Sequence, residues 1–314
     1  MQPKIARLHV SSSKRLICIS DIHGELDLFR HLLEKVAFCD DDILVLLGDI
    51  FLKGSRCHDC LKYVIELSKK PGVHVLRGNC DITTENYLSE SEKLWLDALP
   101  HIIESEKFIF VHAGIKGMNL EEQDPNFCMR NDAFIESYDG PAFDKWVIVG
   151  HWPVDNCCHA IPCQNPIVNS EKRIINIDGG NVIRKTGQLN AFMVYDDKFS
   201  YESVDKLPTV IIEQAQDGSK GTLHVTWKEH FIEIAEDGAE LINVRHLASG
   251  RTLLMPGSEI WKDAEGRYCA GAMATDHFLS VKPGDIVSVV KSFSDRIFAK
   301  INGVCGWIYI GHRS

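Results

Sequence analysis

Short, wholly apolar runs alternate along the first two hundred residues with segments whose apolar positions recur at helical spacing. Leu16 to Ile19 reads as a buried strand. Leu26, Phe29, Leu32, Leu33 and Val36 then fall on one helical stripe, and Ile43 to Leu47 is strand-like again. A second round follows: Leu61, Val64 and Leu67 mark a helix, Lys70, Pro71 and Gly72 stop it, and Val73 to Leu76 resumes as a strand. Repeated strand, helix, strand units predict a mostly parallel sheet covered by helices. Four later runs, Phe108 to Val111, Trp146 to Val149, Ile174 to Ile177 and Ala191 to Tyr195, are expected to build a second sheet. A polar, loop-like stretch from Lys116 to Asn126 separates the first two.

From Lys206 the texture changes to short alternating runs divided by Asp217-Gly218, Asp237-Gly238 and Glu265-Gly266, which predicts an all-β region. Its sharpest signal is Arg296 to Ile301, then Asn302-Gly303, then Val304 to Ile310. Asn-Gly supplies the positive φ angles of a two-residue hairpin turn. The predicted domains are therefore 1–205 and 206–314, in keeping with about 150 residues per domain for a chain of 314.

Composition narrows the function classes. Lys and Arg number 34 against 44 Asp and Glu, a net charge of −10, concentrated in the α/β part. Such a surface is not built to neutralise a phosphate backbone, so nucleic acid is not an expected partner. No apolar stretch reaches the length of a spanning helix and the first twenty residues are too polar for a signal peptide, so no membrane is expected and a cytoplasmic location is. Eleven cysteines, an odd number without a secretory signal, read as reduced thiols rather than a disulfide framework.

The candidate chemistry sits at the ends of the apolar runs. Asp21 and His23 follow the first, Asp49 the second, Asn79 the third, and His112 and His151 two later ones. Taken singly, an Asp after a strand is a common helix cap and a lone His is more often structural. Together they form a pattern, because ligands of open α/β sheets gather outside the carboxyl ends of the strands. Glycines at Gly24, Gly48, Gly54, Gly78, Gly114 and Gly150 let the backbone turn beside these residues.

The blocks DIHG, GDIFLKG, GNCD, VHAG and VGHW, in that order between about Arg15 and Val194, resemble the calcineurin-like metallophosphoesterases. The closer likeness is to the phosphoprotein phosphatase branch, with its bacterial and phage relatives and the symmetrical diadenosine polyphosphate hydrolases. The resemblance implies a four-layer α/β/β/α sandwich, followed here by a small all-β, barrel-like domain. It implies two divalent transition metal ions, one on Asp21 and His23, the other on Asn79, His112 and His151, with Asp49 as the bridge. Carboxylate, amide and imidazole donors suit manganese first, with iron or zinc as alternatives. The implied activity is hydrolysis of a phosphorylated protein or a small phosphoester by metal-activated water. Cleavage of nucleotide phosphoanhydrides is the runner-up, and a catalytically weak protein that binds phosphorylated ligands the other alternative. Arg77 and Arg130 stand where the family places phosphate-gripping arginines, with a surface ion pair as the alternative, one that weighs more for Arg77 than for Arg130. Asp178, in IDGG, is expected to support the site rather than to perform chemistry.

Two departures bear on the chemistry. Leu52-Lys53 replaces the family's Asp-Arg, and Cys80 replaces the histidine of its third block. The missing Asp and His form the dyad that protonates the leaving group, so a preference for good leaving groups is expected. Lys53 keeps a positive charge without the bidentate fork of arginine. A rival metal reading is a zinc site on Cys57, His58 and Cys60, completed by Cys157, Cys158, His159 and Cys163. Cys57 and Cys60 also share a helical face with Val64 and Leu67, which core packing explains without a metal. GDIVSVV, the Asn-Gly hairpin and VCGWIYI resemble the last strands of a bacterial Src-homology-3-like barrel, whose sharper role would be to dock a protein partner.

Overall fold

Leu16, Ile17, Cys18 and Ile19 are all buried, as expected of a strand covered on both faces, and they lie at the centre of a sheet in the computed structural model of the chain. The structure describes residues 2–11, 13–236 and 240–310. It divides into two compact units, one made of Met1–Val154, Asn165–Ile183 and Gly187–Asp205, the other of Asp155–Gln164, Arg184–Thr186 and Lys206–Ser314. In chain order the first unit contains β1 (Ile5–Arg7), β2 (Leu16–Ile19), α1 (Leu26–Lys35), β3 (Ile43–Leu46), α2 (Cys57–Leu67), β4 (Val73–Val75) and α3 (Glu90–Ala98). It continues with β5 (Ile102–Glu104), β6 (Phe108–Val111), α4 (Pro125–Arg130), α5 (Phe134–Ser137), β7 (Trp146–Val149), β8 (Ile167–Asn169), β9 (Ile174–Asn176), β10 (Leu189–Tyr195) and β11 (Lys198–Val204).

Two sheets result, a five-stranded one in the order β11-β10-β2-β3-β4 and a six-stranded one in the order β1-β5-β6-β7-β9-β8. β2, β3 and β4 are parallel, as are β6, β7 and β9. Alternate residues of β2 point to opposite faces. Leu16 and Cys18 meet Phe108, Phe110 and Ile148 of the other sheet, while Ile17 and Ile19 meet Phe29, Leu32 and Leu61 of the helices. The fold is thus mixed α/β, with α1, α2 and α3 over the five-stranded sheet and the two sheets packed face to face. Helices are few elsewhere, α4 and α5 being 6 and 4 residues long.

One strand differs from expectation. Ala191 to Tyr195 joins the first sheet, antiparallel to β2, and not the second. β10 and β11 form a hairpin across Asp196 and Asp197, both at positive φ, and β10 carries buried side chains on both faces to fill the place beside β2.

The second unit is all-β. Its strands are β12 (Thr209–Ile211), β13 (Ile232–Glu236), β14 (Leu241–His246), β15 (Thr252–Pro256), β16 (Ile260–Lys262), β17 (Tyr268–Ala270), β18 (Ile286–Ser292), β19 (Arg296–Ile301) and β20 (Val304–Tyr309). They form sheets of four, three and two strands. Asn302 and Gly303, at φ 49° and 77°, make the predicted turn between β19 and β20. The Asp237-Gly238 turn lies outside the described residues. No helix among the described residues is long and apolar enough to cross a membrane.

Candidate metal centre

The chain turns sharply as it leaves the parallel strands. Asp21 and His23 after β2, Asp49 after β3 and His151 after β7 take φ angles of 53°, 50°, 52° and 67°. Each such conformation costs a non-glycine residue about 1–3 kcal/mol and persists only where the surroundings over-determine it. Here the first two loops are stitched together. The N–H groups of Asp21, His23 and Gly24 donate to the carbonyls of Gly48, Asp49 and Ile50 at 3.2, 2.8 and 2.8 Å. Two glycines make room: a Cβ on Gly78 would strike the Asp49 carboxylate, and one on Gly150 would strike Asp21 and Ser20.

These turns converge Asp21, His23, Asp49, Asn79 and His112, with Asp49 in the middle. One Asp49 oxygen lies 3.7 Å from His23 Nε2, the other 3.4 Å from His112 Nε2. His23 Nε2 also lies 3.8 Å from Asp21, and His112 Nε2 lies 3.0 Å from the side-chain oxygen of Asn79. Two buried donor groups follow, Asp21, Asp49 and His112 in one, His23, Asp49 and Cys80 in the other, and Asp49 belongs to both. His151 stands next to them, its ring 5.1 Å from that of His112 and its backbone N–H donating to Asp21 at 2.9 Å. Its Nε2 meets Asp132 at 3.1 Å.

The chemistry of this donor set fits a cation. Nδ1 of His112 is 2.7 Å from the Leu47 carbonyl and must donate to it, which in a neutral ring leaves Nε2 as a lone pair facing two oxygen acceptors. With the Asn79 amide in this orientation, a proton or a metal ion satisfies all three acceptors at that spacing. His23 is 1% exposed, its Nδ1 has no hydrogen-bond partner, and its Nε2 has only the two distant carboxylates. Burial holds the His23 imidazole below its usual range, against the pull of Asp21 and Asp49. Burial would do the same to His112, but Asp49 and Asp21 outweigh it and raise the pKa.

The remaining predicted residues divide. Arg130 is exposed and its guanidinium donates to the Asn79 carbonyl at 3.4 Å, at the rim of the centre. Lys53 is also exposed, at φ 72°, and its charge acts on Cys80 to lower the thiol pKa, against burial and Asp49. Cys80 is 8% exposed, and its backbone N–H donates to Asp49 at 2.8 Å. Leu52 packs, half-buried, against the apolar cluster beneath α1 and α2. Arg77 is not brought to the centre: its guanidinium pairs with Asp97 of α3 at 3.0 Å. Asp178 is buried and accepts from the Gly180 N–H at 2.8 Å. The cysteine-rich segments form no donor group of this kind among the described residues. Cys57 and Cys60 bond to the Gly54 and Ile50 carbonyls, and His58 to Glu92.

Three residues were not singled out from sequence. Asp81 is fully buried and accepts from the N–H groups of Gly78, Asp49 and Ile50 at 2.8, 2.8 and 2.9 Å, tying the third loop to the second. Asn181 donates to the Ile22 carbonyl at 3.0 Å, and Asp132 meets His151. Asp81 stands inside the GNCD block, which was its one available signal.

Residues 14–165 match the family model of the calcineurin-like phosphoesterases. A symmetrical bis(5'-nucleosyl)-tetraphosphatase of Buchnera aphidicola subsp. Acyrthosiphon pisum (strain Tuc7) is 36% identical over 120 residues, covering 31% of this chain and 43% of the relative. Its namesake from Buchnera aphidicola subsp. Baizongia pistaciae (strain Bp) is 38% identical over 65 residues, 20% of this chain and 23% of the relative. The chain thus spans less than half the length of the curated relatives it matches. Among solved structures, a metallophosphoesterase from Sphaerobacter thermophilus aligns at TM-score 0.42 and 18% identity, over 62% of this chain and 89% of that one. A serine/threonine phosphatase from Saccharomyces cerevisiae aligns at 0.47 and 12%, over 66% and 85%. The ordered blocks, the converging donors and the family match agree, and the chain contains a calcineurin-like metallophosphoesterase domain.

Proposed function

We propose that this protein is a dinuclear metal-dependent phosphoester hydrolase, with Asp21, His23, Asp49, Asn79, His112 and His151 as its metal ligands. The observation that carries the reading is the position of Asp49, whose two carboxylate oxygens face two different buried histidines. Manganese is the first choice for the oxygen and imidazole donors, with iron and zinc as alternatives. When bound, two divalent ions polarise phosphate oxygens and make water nucleophilic at neutral pH. The chain's own residues position the substrate: Arg130 at the rim offers a planar fork for two phosphate oxygens, and Lys53 adds a point charge.

The substrate class follows from what is missing. A positioned general acid is worth about 10² to 10⁴ in rate, most when the departing oxygen is a poorly stabilised alkoxide. Leu52 has no proton to give, and burial together with Asp49 pushes the Cys80 thiol up to about 12. Aryl phosphates, phosphotyrosine among them, and phosphoanhydrides leave as stable anions and need no such help. Between a phosphorylated protein and a nucleotide anhydride, similarity to the tetraphosphatases supports the anhydride. A phosphoprotein that docks on the second unit, made of Asp155–Gln164, Arg184–Thr186 and Lys206–Ser314, is the second reading. A cytoplasmic location is part of the same proposal.

The test is turnover of an aryl phosphate, a phosphoserine peptide and a dinucleotide polyphosphate by the full chain, with elemental analysis alongside. Two ions per chain and faster turnover of the aryl ester and the anhydride are expected. Asp49→Asn should lower both metal content and activity. Full occupancy in that variant removes the bridge, and phosphoserine cleaved as fast as the aryl ester removes the selectivity.

A further inference from the structure

The two donor groups that share Asp49 differ in softness. One offers only oxygen and nitrogen. The other brings a sulfur, that of Cys80, together with a His23 ring nitrogen and an Asp49 oxygen, the three ligand atoms lying within 4.8 Å of one another. Two donors on one tetrahedral zinc ion, each at about 2.0–2.3 Å, stand about 3.3–3.8 Å apart, so a movement of about 1 Å brings these three onto a shared ion. His23 gives the independent sign. Its side chain is buried, Nδ1 has no hydrogen-bond partner among the described residues, and Nε2 is turned toward the Asp21 and Asp49 carboxylates at 3.8 and 3.7 Å. A buried imidazole left in that condition has a lone pair to offer and no proton donor to receive it.

We propose that Cys80 is a metal ligand, its sulfur joining His23 and Asp49 to select a thiophilic ion such as zinc for that half of the centre, while the Asp21, Asp49 and His112 half keeps a harder ion. The inference rests on the proposed metal centre and adds a donor to it. Binding exchanges an S–H bond for a sulfur–metal bond, and the thiol proton goes to solvent. The Cys80 backbone N–H is fastened to Asp49 at 2.8 Å, which holds the residue at the centre whichever way its side chain turns. A thiolate bound in this way has no proton to give a leaving group, in accord with the substrate preference above.

The experiment strips the full chain of metal with a chelator and titrates it with cobalt(II), a coloured stand-in for zinc. Wild type should show a thiolate-to-cobalt charge-transfer band in the near ultraviolet, saturating at one equivalent. Cys80→Ser should lose that band and keep the visible cobalt bands. In competition, wild type should prefer zinc to manganese at least about tenfold more than Cys80→Ser does, since thiolate selects the softer ion. Visible cobalt bands without the charge-transfer band in wild type overturn the ligand and leave the metal centre standing. No cobalt binding at all overturns both. A charge-transfer band that survives in Cys80→Ser assigns the sulfur to another cysteine. A wild type without the band decides against the ligand whatever the variant does, and Cys80→Ala, read by loss of the same band, stands in where Cys80→Ser fails to fold.

Discussion

Asp81, fully buried, accepts three backbone N–H groups, and those groups belong to the two loops that carry Asp49 and Asn79. Leaving a buried donor unmade costs about 1–3 kcal/mol, so Asp81→Ala should destabilise the chain by several kcal/mol and empty the centre, while Asp81→Asn, which keeps one acceptor oxygen, should cost less. Urea unfolding with metal analysis checks both, and an unchanged midpoint in Asp81→Ala removes the bracing role. The contrast with its neighbours shows what the sequence could carry. Asp21, Asp49, Asn79, His112 and His151 were legible because each stands directly after an apolar run, and strand ends are where such sheets collect ligands. Asp81 and Asn181 were not, since a side chain bonding to backbone about 30 or 160 positions away leaves no periodic trace. Arg77 stands where the resemblance places a phosphate-gripping arginine, and only the packing of α3 brings Asp97 to its guanidinium, the ion pair that was its alternative.

α3 begins with a capping box in which the Ser89 hydroxyl accepts from the Glu92 N–H at 3.3 Å and the Glu92 carboxylate accepts from the Ser89 N–H at 2.7 Å. His58 of α2 meets the other Glu92 oxygen at 2.8 Å, so the cap also joins two helices. Burial alone would raise the pKa of Glu92, but the Ser89 hydrogen bonds and His58 outweigh it and bring it from 4.5 to about 2. A carboxyl depressed on folding stabilises above its unfolded pKa and loses that contribution as pH falls through its folded one. Wild type should therefore exceed Glu92→Gln by about 1 kcal/mol above pH 5, and the gap should close as pH falls from about 4.5 to about 2. Thermal unfolding at a series of pH values measures it, and a gap that widens in acid contradicts the sign. The Ser89-Glu90-Ser91-Glu92 signature lay in the sequence and marks the helix without help from periodicity, which is weak over a nine-residue element. β10 went to the wrong sheet for a different reason: an apolar run predicts a buried strand, but only pairing decides which sheet receives it.

Two short segments of the first 205 residues belong to the second compact unit, and this governs how the molecule comes apart. Within that unit the Gln164 N–H donates to the Gly303 carbonyl at 2.8 Å and the Cys305 N–H to the Pro162 carbonyl at 2.9 Å, so Pro162 to Gln164 runs alongside β20. Lys300, a lysine only 3% exposed, donates to the Thr186 carbonyl at 2.9 Å. His224 is buried on the Cys158 carbonyl, and Asp155 and Arg184 form an ion pair at 3.3 Å beside it. A domain boundary near residue 205 therefore cuts the chain in one place while two other segments still need partners from beyond it. A chain ending at Asp205 should keep the metal centre, because every proposed ligand lies in the first unit, but should be less stable than the whole. At about 0.5–1.5 kcal/mol for each hydrogen bond lost, and about 2–4 °C per kcal/mol for a domain this size, the Tm should fall by about 5–10 °C. Scanning calorimetry and metal uptake on both chains give the answer. A Tm equal to that of the full chain means that Asp155–Gln164 and Arg184–Thr186 do not depend on residues 206–314. Loss of metal uptake together with folding means that the two units unfold as one, and the proposed boundary then has no physical meaning.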